Sequence, residues 1–175
     1  MNATLKSLFM SISCILCLNA CAKIPEGAQV VKSFDAQKYL GKWYEIARFD
    51  FRFERNLDHT TATYSMNEDG TIKVDNEGYN YVKKKRSQAI GKAKFRGDKT
   101  EAALKVSFFG PFYAPYNVIA LDSEYKYALI AGKNLKYLWI LSREKTIPEE
   151  IKQAYLKQAR DLGFDLNKLI WVNQD

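Results

Sequence analysis

Beyond residue 21 the chain has no cysteine, and His59 is its single histidine. The first absence removes disulfides, thiolate metal ligands and a cysteine nucleophile from everything downstream. The second leaves no pair of imidazoles for a metal and only one residue that could act as the base of a triad. His59 stands beside Thr60 and Thr61 at the start of a β-like run, a place that suits a surface or rim histidine. There is no Gly-x-Ser-x-Gly elbow and no glycine-rich phosphate cradle. Glu45 is the remaining catalytic candidate, since burial in an apolar strand would raise its pKa. A hydrogen bond to a tyrosine or to water accounts for such a carboxylate equally well. The expectation is a protein that is not an enzyme and carries neither cofactor nor metal.

Long apolar runs are scarce as well. Leu8–Leu18 follows Lys6, and it is too short to span a bilayer, which makes it a secretory signal. Leu18-Asn19-Ala20 then places a small residue directly before Cys21. This pattern resembles the bacterial lipobox, which implies a signal peptide over residues 1–20 and lipidation of Cys21. An ordinary cleaved secretory signal is the alternative. Ala22 in place of an aspartate resembles lipoproteins passed on to the outer membrane, lipid-anchored on its periplasmic face. Because Cys14 and Cys17 fall in the leader, the mature domain depends on its core and on sheet closure for stability.

What the chain does hold is a core. It has 175 residues, 47% hydrophobic and 14% aromatic, enough for one domain. The formal net charge of +7 raises nucleic acid, acidic ligands or a membrane surface as partners. Export argues against nucleic acid. Residues 21–34 show no period and include Pro25 and Gly27, so they read as a lipidated tether to a domain over 35–175.

Within that domain short apolar stretches alternate with turn signals. Gly41–Phe49 is a first strand. Thr60–Met66 and Thr71–Gly78 flank an Asp69-Gly70 hairpin, and Gln88–Phe95 and Ala102–Phe108 flank Gly97-Asp98-Lys99. Tyr116–Leu121, Tyr127–Gly132 and Lys136–Ser142 complete eight strands. The fold class is all-β: an antiparallel up-and-down barrel, whose closure removes exposed edges. One helix follows, with Thr146 and Glu149 at capping-box spacing and Pro148 in the first turn. Ile151, Ala154, Tyr155 and Leu162 give it an apolar stripe for the barrel wall, and Gly163 caps it. Leu169–Val172 is a short final strand.

Gly41-Lys42-Trp43 opens the first strand and Leu141-Ser142-Arg143 closes the eighth. Together with Arg52-Phe53-Glu54-Arg55 and the stretch Leu104–Phe112, they resemble the bacterial lipocalins and their apolipoprotein-D-like relatives. The resemblance implies that Gly41, Trp43 and Arg143 are structural, with tryptophan plugging the closed end and arginine lying over it as a cation–π partner. It departs from the family at Asp122, Tyr125 and Tyr127, where the tyrosine spacing is shifted, and at Ser87-Gln88, where members tend to carry a tryptophan.

Strand parity selects the inward face. With Trp43 inward, Glu45 and Ala47 share its side. The same logic gives Ala62, Tyr64, Val74, Asn76, Ala89, Val106, Phe108, Tyr116, Val118, Tyr137 and Trp139 as ligand-lining residues. The alternative is that they simply fill a small barrel. Alternate loops share one end, so the mouth takes the loops near 48–57, 78–87, 109–115 and 132–135. These bring Arg48, Arg52, Arg55, Lys83, Lys84, Lys85, Arg86 and Lys133 together with Phe49, Phe51, Phe53, Phe109, Phe112 and Tyr113. A greasy, basic rim over an apolar interior suits a fatty acid or a phospholipid; a solvated charge run is the plainer account of Lys83–Arg86. The functional expectation is a lipid-binding outer-membrane lipoprotein for storage or transport of envelope lipids. Its rivals are a structural envelope lipoprotein without a specific ligand and a carrier of another small hydrophobic compound.

Overall fold

The computed structural model describes residues 23–175. The expected leader and the expected lipidation site, Cys21, lie outside the described residues. A short helix α1 (Ala36–Tyr39) leads into β1 (Gly41–Phe49) and β2 (Leu57–Met66). There follow β3 (Ile72–Asn80), β4 (Lys85–Phe95), β5 (Ala103–Phe109), β6 (Phe112–Leu121), β7 (Tyr127–Ala131) and β8 (Leu138–Ser142). Helix α2 (Glu149–Asp161) and a short β9 (Leu169–Trp171) end the series. Each strand pairs antiparallel with the next, and β1 pairs with both β8 and β2, which closes eight strands into a barrel. The expected up-and-down barrel with one helix and a final strand is the observed fold. Strand ends differ by a few residues: β6 starts at Phe112, and Tyr137 lies just before β8.

Two apolar layers follow from strand parity. Trp43, Tyr64, Val74, Val118, Ile130 and Leu141 pack inside the barrel. Ile46, Leu129, Ile140, Tyr155, Ala159 and Phe164 pack between the wall and α2. Strand β7 serves both layers, so Ala128–Ala131 is continuously buried and apolar rather than alternating. On α2 the wall-facing stripe is Ile151, Tyr155, Ala159 and Leu162, whereas Ala154, expected in it, is exposed. The capping box does not form. Pro148 takes the N-cap position without a side-chain bond, and the Thr146 carbonyl accepts a hydrogen bond from Ser142 Oγ instead. Gly163 ends the helix at φ +89°, and the Phe164 N–H reaches back to the Ala159 carbonyl, a Schellman closure.

Two expectations need correction. Residues 23–34 are not a free tether. Val31 receives no neighbouring strand of its own, yet its N–H bonds the Val118 carbonyl and its carbonyl accepts from Ala102. Phe34 and Pro25 are buried, and the Lys23 carbonyl accepts from Asn117 Nδ2. The segment is a strap, with Val31 and Phe34 packed against the inner layer and Ile24 and Ala28 against the layer under α2. The second correction concerns β1, where pairing with β8 shifts between Glu45 and Ala47. The bulge inserts Ile46 and reverses parity. Glu45 stays inside, Ala47 turns to the helix layer, and Arg48 turns inward.

The same strand loses β2 above Tyr44, and β9 takes its flank at Ala47–Phe49. The resulting seam is closed by the buried side chain of Gln174, whose Nε2 donates to the carbonyls of Glu45 and Thr60 at 2.8 Å each.

Candidate functional site

The floor of the barrel is built by α1 and the first turn of β1. Trp43 is fully buried, and its indole N–H donates to the Tyr39 carbonyl at 2.9 Å. The Arg143 guanidinium lies 3.9 Å from the Trp43 ring centroid. It also donates to the carbonyls of Lys38, Leu40 and Lys42 at 2.8–2.9 Å, which satisfies the otherwise free end of α1. Gly41 is a glycine because φ is +93° there and a Cβ would meet Arg143 Nη1 at 3.4 Å. Above the tryptophan the Tyr116 hydroxyl bridges those of Tyr39 and Tyr64, at 2.7 and 3.0 Å. Burial pushes all three phenols well up, so they stay neutral and act as hydrogen-bonding groups, not bases.

The wall above this floor carries the residues that parity selected. Ala62, Tyr64, Val74, Val106, Phe108, Tyr116, Val118 and Trp139 belong to the inner layer. Asn76 faces the same way, opposite Ala62 in the register, and its Oδ1 is buried without a hydrogen-bond partner. Ala89 is exposed, because pairing of β4 with β5 begins only at Lys92–Ser107 and leaves the wall open beside it. The small face of β4 has a reason beyond making room for a ligand: a Cβ at Gly91 would come within 2.8 Å of the Phe108 ring and of the Ser107 carbonyl. Tyr137 stacks on Trp139 at 6.3 Å and 15°, and both meet Phe51 edge-on.

The upper interior holds a polar group that parity alone placed wrongly. Arg48, expected on the rim, is 2% exposed inside the barrel. Its Nη1 donates to Glu45 Oε1 at 2.7 Å, and its Nη2 donates to the carbonyls of Glu54 and Leu57. One guanidinium thus holds the β1–β2 loop down over the opening. Thr60 Oγ1 also donates to Glu45, at 3.2 Å. Burial pushes Glu45 up, against the opposing charge and hydrogen bond of Arg48. Glu54 accepts from the Trp139 indole at 2.9 Å, and burial, reinforced by the Glu45 charge, holds its carboxyl well above the usual range. Tyr39 and Glu54 carried no separate signal in the sequence: one lies in a four-residue helix, the other in a loop whose path depends on Arg48.

Arg52, Lys83, Lys84 and Lys133 are exposed on the mouth loops, Lys85 and Arg86 are exposed at the start of β4, and His59 is exposed at the rim. Arg55 is engaged with Asp50 at 2.9 Å. Among the described residues no cluster of three His, Cys, Asp or Glu side chains could hold a metal ion. The arrangement can bury apolar groups, offer neutral hydroxyls and one amide, and present cations around the opening.

Comparison with known proteins gives a consistent frame. The chain is 60% identical over 150 residues to the outer membrane lipoprotein Blc of Citrobacter freundii, covering 86% of this chain and 85% of that one. It is 45% identical to the protein of the same name from Vibrio cholerae, over 97% of this chain and 99% of the other. The solved structure of the cockroach allergen Per a 4 shares the fold, with a TM-score of 0.68 at 20% identity over 88% of this chain and 96% of that one. The model of the lipocalin-like domain matches residues 34–174. With its Trp43–Arg143 floor and eight-stranded closure, the chain belongs to the lipocalin family.

Proposed function

We propose that this protein is an outer-membrane lipoprotein, acylated at Cys21, that holds a fatty acid or (lyso)phospholipid inside the barrel for storage or transport of envelope lipids. The observation that carries this reading is the gradient along the barrel axis. An aromatic, apolar inner wall (Val74, Val106, Phe108, Val118, Trp139) rises to an opening ringed by Arg52 and Lys83–Arg86. Its relatives, named outer membrane lipoproteins, support the location.

Burial supplies the affinity, because each CH₂ of an acyl chain that leaves water contributes about 0.8 kcal/mol. The rim cations orient an anionic head group. No step of bond making or breaking enters. Ala62, Tyr64, Asn76, Ala89, Tyr116 and Tyr137 complete the proposed lining, with the Asn76 carbonyl oxygen free to accept from a polar group of the ligand.

Native mass spectrometry of residues 22–175, titrated with fatty acids and lysophospholipids, tests this. A one-to-one complex is expected, weakened about tenfold or more by Trp139→Ala and by Phe108→Arg. No complex across the panel would move the ligand to another hydrophobic class or the role to an envelope scaffold. Unchanged affinity in both variants would take those residues out of the binding site.

A further inference from the structure

On the outer face of the barrel, one stretch of wall carries positive charge that no carboxylate of the described residues balances. Leu104, Val106 and Phe108 belong to the inner layer, which turns Lys105 and Ser107 outward; Ala93 inside turns Lys92 and Lys94 outward. In the register Lys73 stands opposite Lys92, and Lys94 stands opposite Lys105. Like charges placed directly opposite destabilise a sheet unless a counter-charge joins them. The first pair has its counter-charges: Lys92 reaches Asp69 at 3.0 Å and Lys73 reaches Asp75 at 3.8 Å. Among the described residues neither Lys94 nor Lys105 has an acidic partner. Their ammonium groups instead share one ring, that of Tyr113 on β6, at 5.7 and 5.2 Å from its centroid.

The acids of the adjoining β4–β5 hairpin are engaged elsewhere. Asp98 accepts from Thr100, and Glu101 pairs with Lys32. Arg96, two positions beyond Lys94, adds a third cation and bonds only neutral groups, the Leu104 carbonyl and the Asn117 amide oxygen.

Ser107 supplies an independent observation. It stands opposite Lys92 and next to Lys105 along the same outer face. The residue is 7% exposed, and its Oγ has no hydrogen-bond partner. An unmatched buried hydroxyl is a cost that a bound acceptor removes. At the same place the β5–β6 register shifts between Val106 and Phe109, which takes backbone groups out of the ladder. Two ammonium groups and a hydroxyl converge as donors with no acceptor of their own. A phosphate, with its higher charge and several oxygens, answers that set better than a carboxylate.

We propose that the outer wall of the barrel carries a second binding site, for a phosphate ester, in which Lys94 and Lys105 contact the phosphate, Tyr113 holds the two ammonium groups together and Ser107 Oγ donates to a phosphate oxygen. The site lies on the opposite face of the wall from the acyl cavity and does not depend on it. A phospholipid head group and a soluble phosphate ester offer the same chemistry.

Reductive methylation with isotope-labelled methyl groups keeps each lysine charged and makes it visible by NMR, in the intact protein in non-ionic detergent. Glycerol phosphate, titrated at constant ionic strength, should shift the Lys94 and Lys105 signals together and to saturation, while Lys73 and Lys92 stay still. Lys94→Gln and Lys105→Gln assign the two signals, and each substitution should abolish the response of the remaining lysine. Ser107→Ala should weaken binding several-fold. The same ester should raise the midpoint of thermal unfolding in the parent and not in Lys94→Gln, since only a folded site gains from its ligand. A shift common to all lysines, or an equal response to acetate, overturns the phosphate site. Phosphatidylglycerol added to the micelles separates the two sources. Competition with glycerol phosphate supports the site with a lipid head group as its ligand. Glycerol phosphate binding that the lipid leaves untouched supports it with a soluble ester.

Discussion

At the closed end Trp43 is wholly buried beneath Arg143, while at the mouth Phe112 is 79% exposed, at the same end of the barrel as the run Lys83–Arg86. Both ends depend on aromatic rings beside positive charge, on opposite sides of the wall. On the floor the ring is inside, the guanidinium covers it, and four carbonyls take up its N–H groups. On the rim the rings point to solvent, and the lysines have no such framework. The floor stabilises the fold; the rim is left free for contact. Sequence composition alone cannot separate these uses, because the same residue types serve both.

The contrast can be broken most strongly at the floor. Trp43→Ala should cost about 3–5 kcal/mol, since a fully buried ring is replaced by a cavity beneath Tyr39, 4.8 Å away by ring centroids. Urea denaturation reads the loss, and a cost near zero would mean that the floor is not a stability element. Arg143→Lys should cost about 2 kcal/mol despite keeping the charge, because an ammonium cannot bond several divergent carbonyls and stack on the indole at once.

Between the two ends lies Glu54, where the sign of a pH effect is decided by burial. Its carboxyl is raised in the folded state, so the stability it contributes is full below the ordinary carboxyl pKa and is lost as pH rises through the folded value. Glu54→Gln imitates the protonated form. It should raise the midpoint of thermal unfolding at pH 7 by a few degrees, the scale on which about 1 kcal/mol acts in a domain of this size. The gain should fade toward pH 4; a loss at neutral pH would show instead that Glu54 is needed as an anion. The smallest effect belongs to the rim. Phe112→Ser should stay within about 0.5 kcal/mol of the parent by the same unfolding assay, and a larger loss would place that ring in the fold's own packing.

Much of this architecture was legible because local signals agreed with one another. The Asp69-Gly70 and Gly97–Lys99 turns, the alternation along β2 and β3 and the Gly41–Trp43 and Arg143 pair all pointed to one barrel, and even the assignment of loops to ends followed from strand order. What was not legible depended on contacts far apart in sequence. A one-residue bulge at Ile46 reversed the parity of β1, so Ala47 and Arg48 exchanged sides relative to a simple alternation. The strap from Lys23 to Phe34 has no period because groups from two separate segments, 100–102 and 117–118, not a repeating face, hold it. Thr146 matched a capping pattern, yet its carbonyl was claimed by Ser142 and proline led the helix. Glu54 is a half-buried carboxyl under Trp139 in a loop that Arg48 holds inward.

Gln174 gives the barrel an order of assembly. Strands β1 and β2 are neighbours in the chain, but the gap between their outer halves is filled by a side chain 129 positions beyond Glu45 and 114 beyond Thr60. A chain synthesised N-terminus first can form its hairpins one by one, yet it cannot seal until that amide has arrived. Long-range closure of this kind is slow. For the whole of that interval the upper edges of β1 and β2 stay unpaired, open to any strand nearby, and closure comes as a single late event.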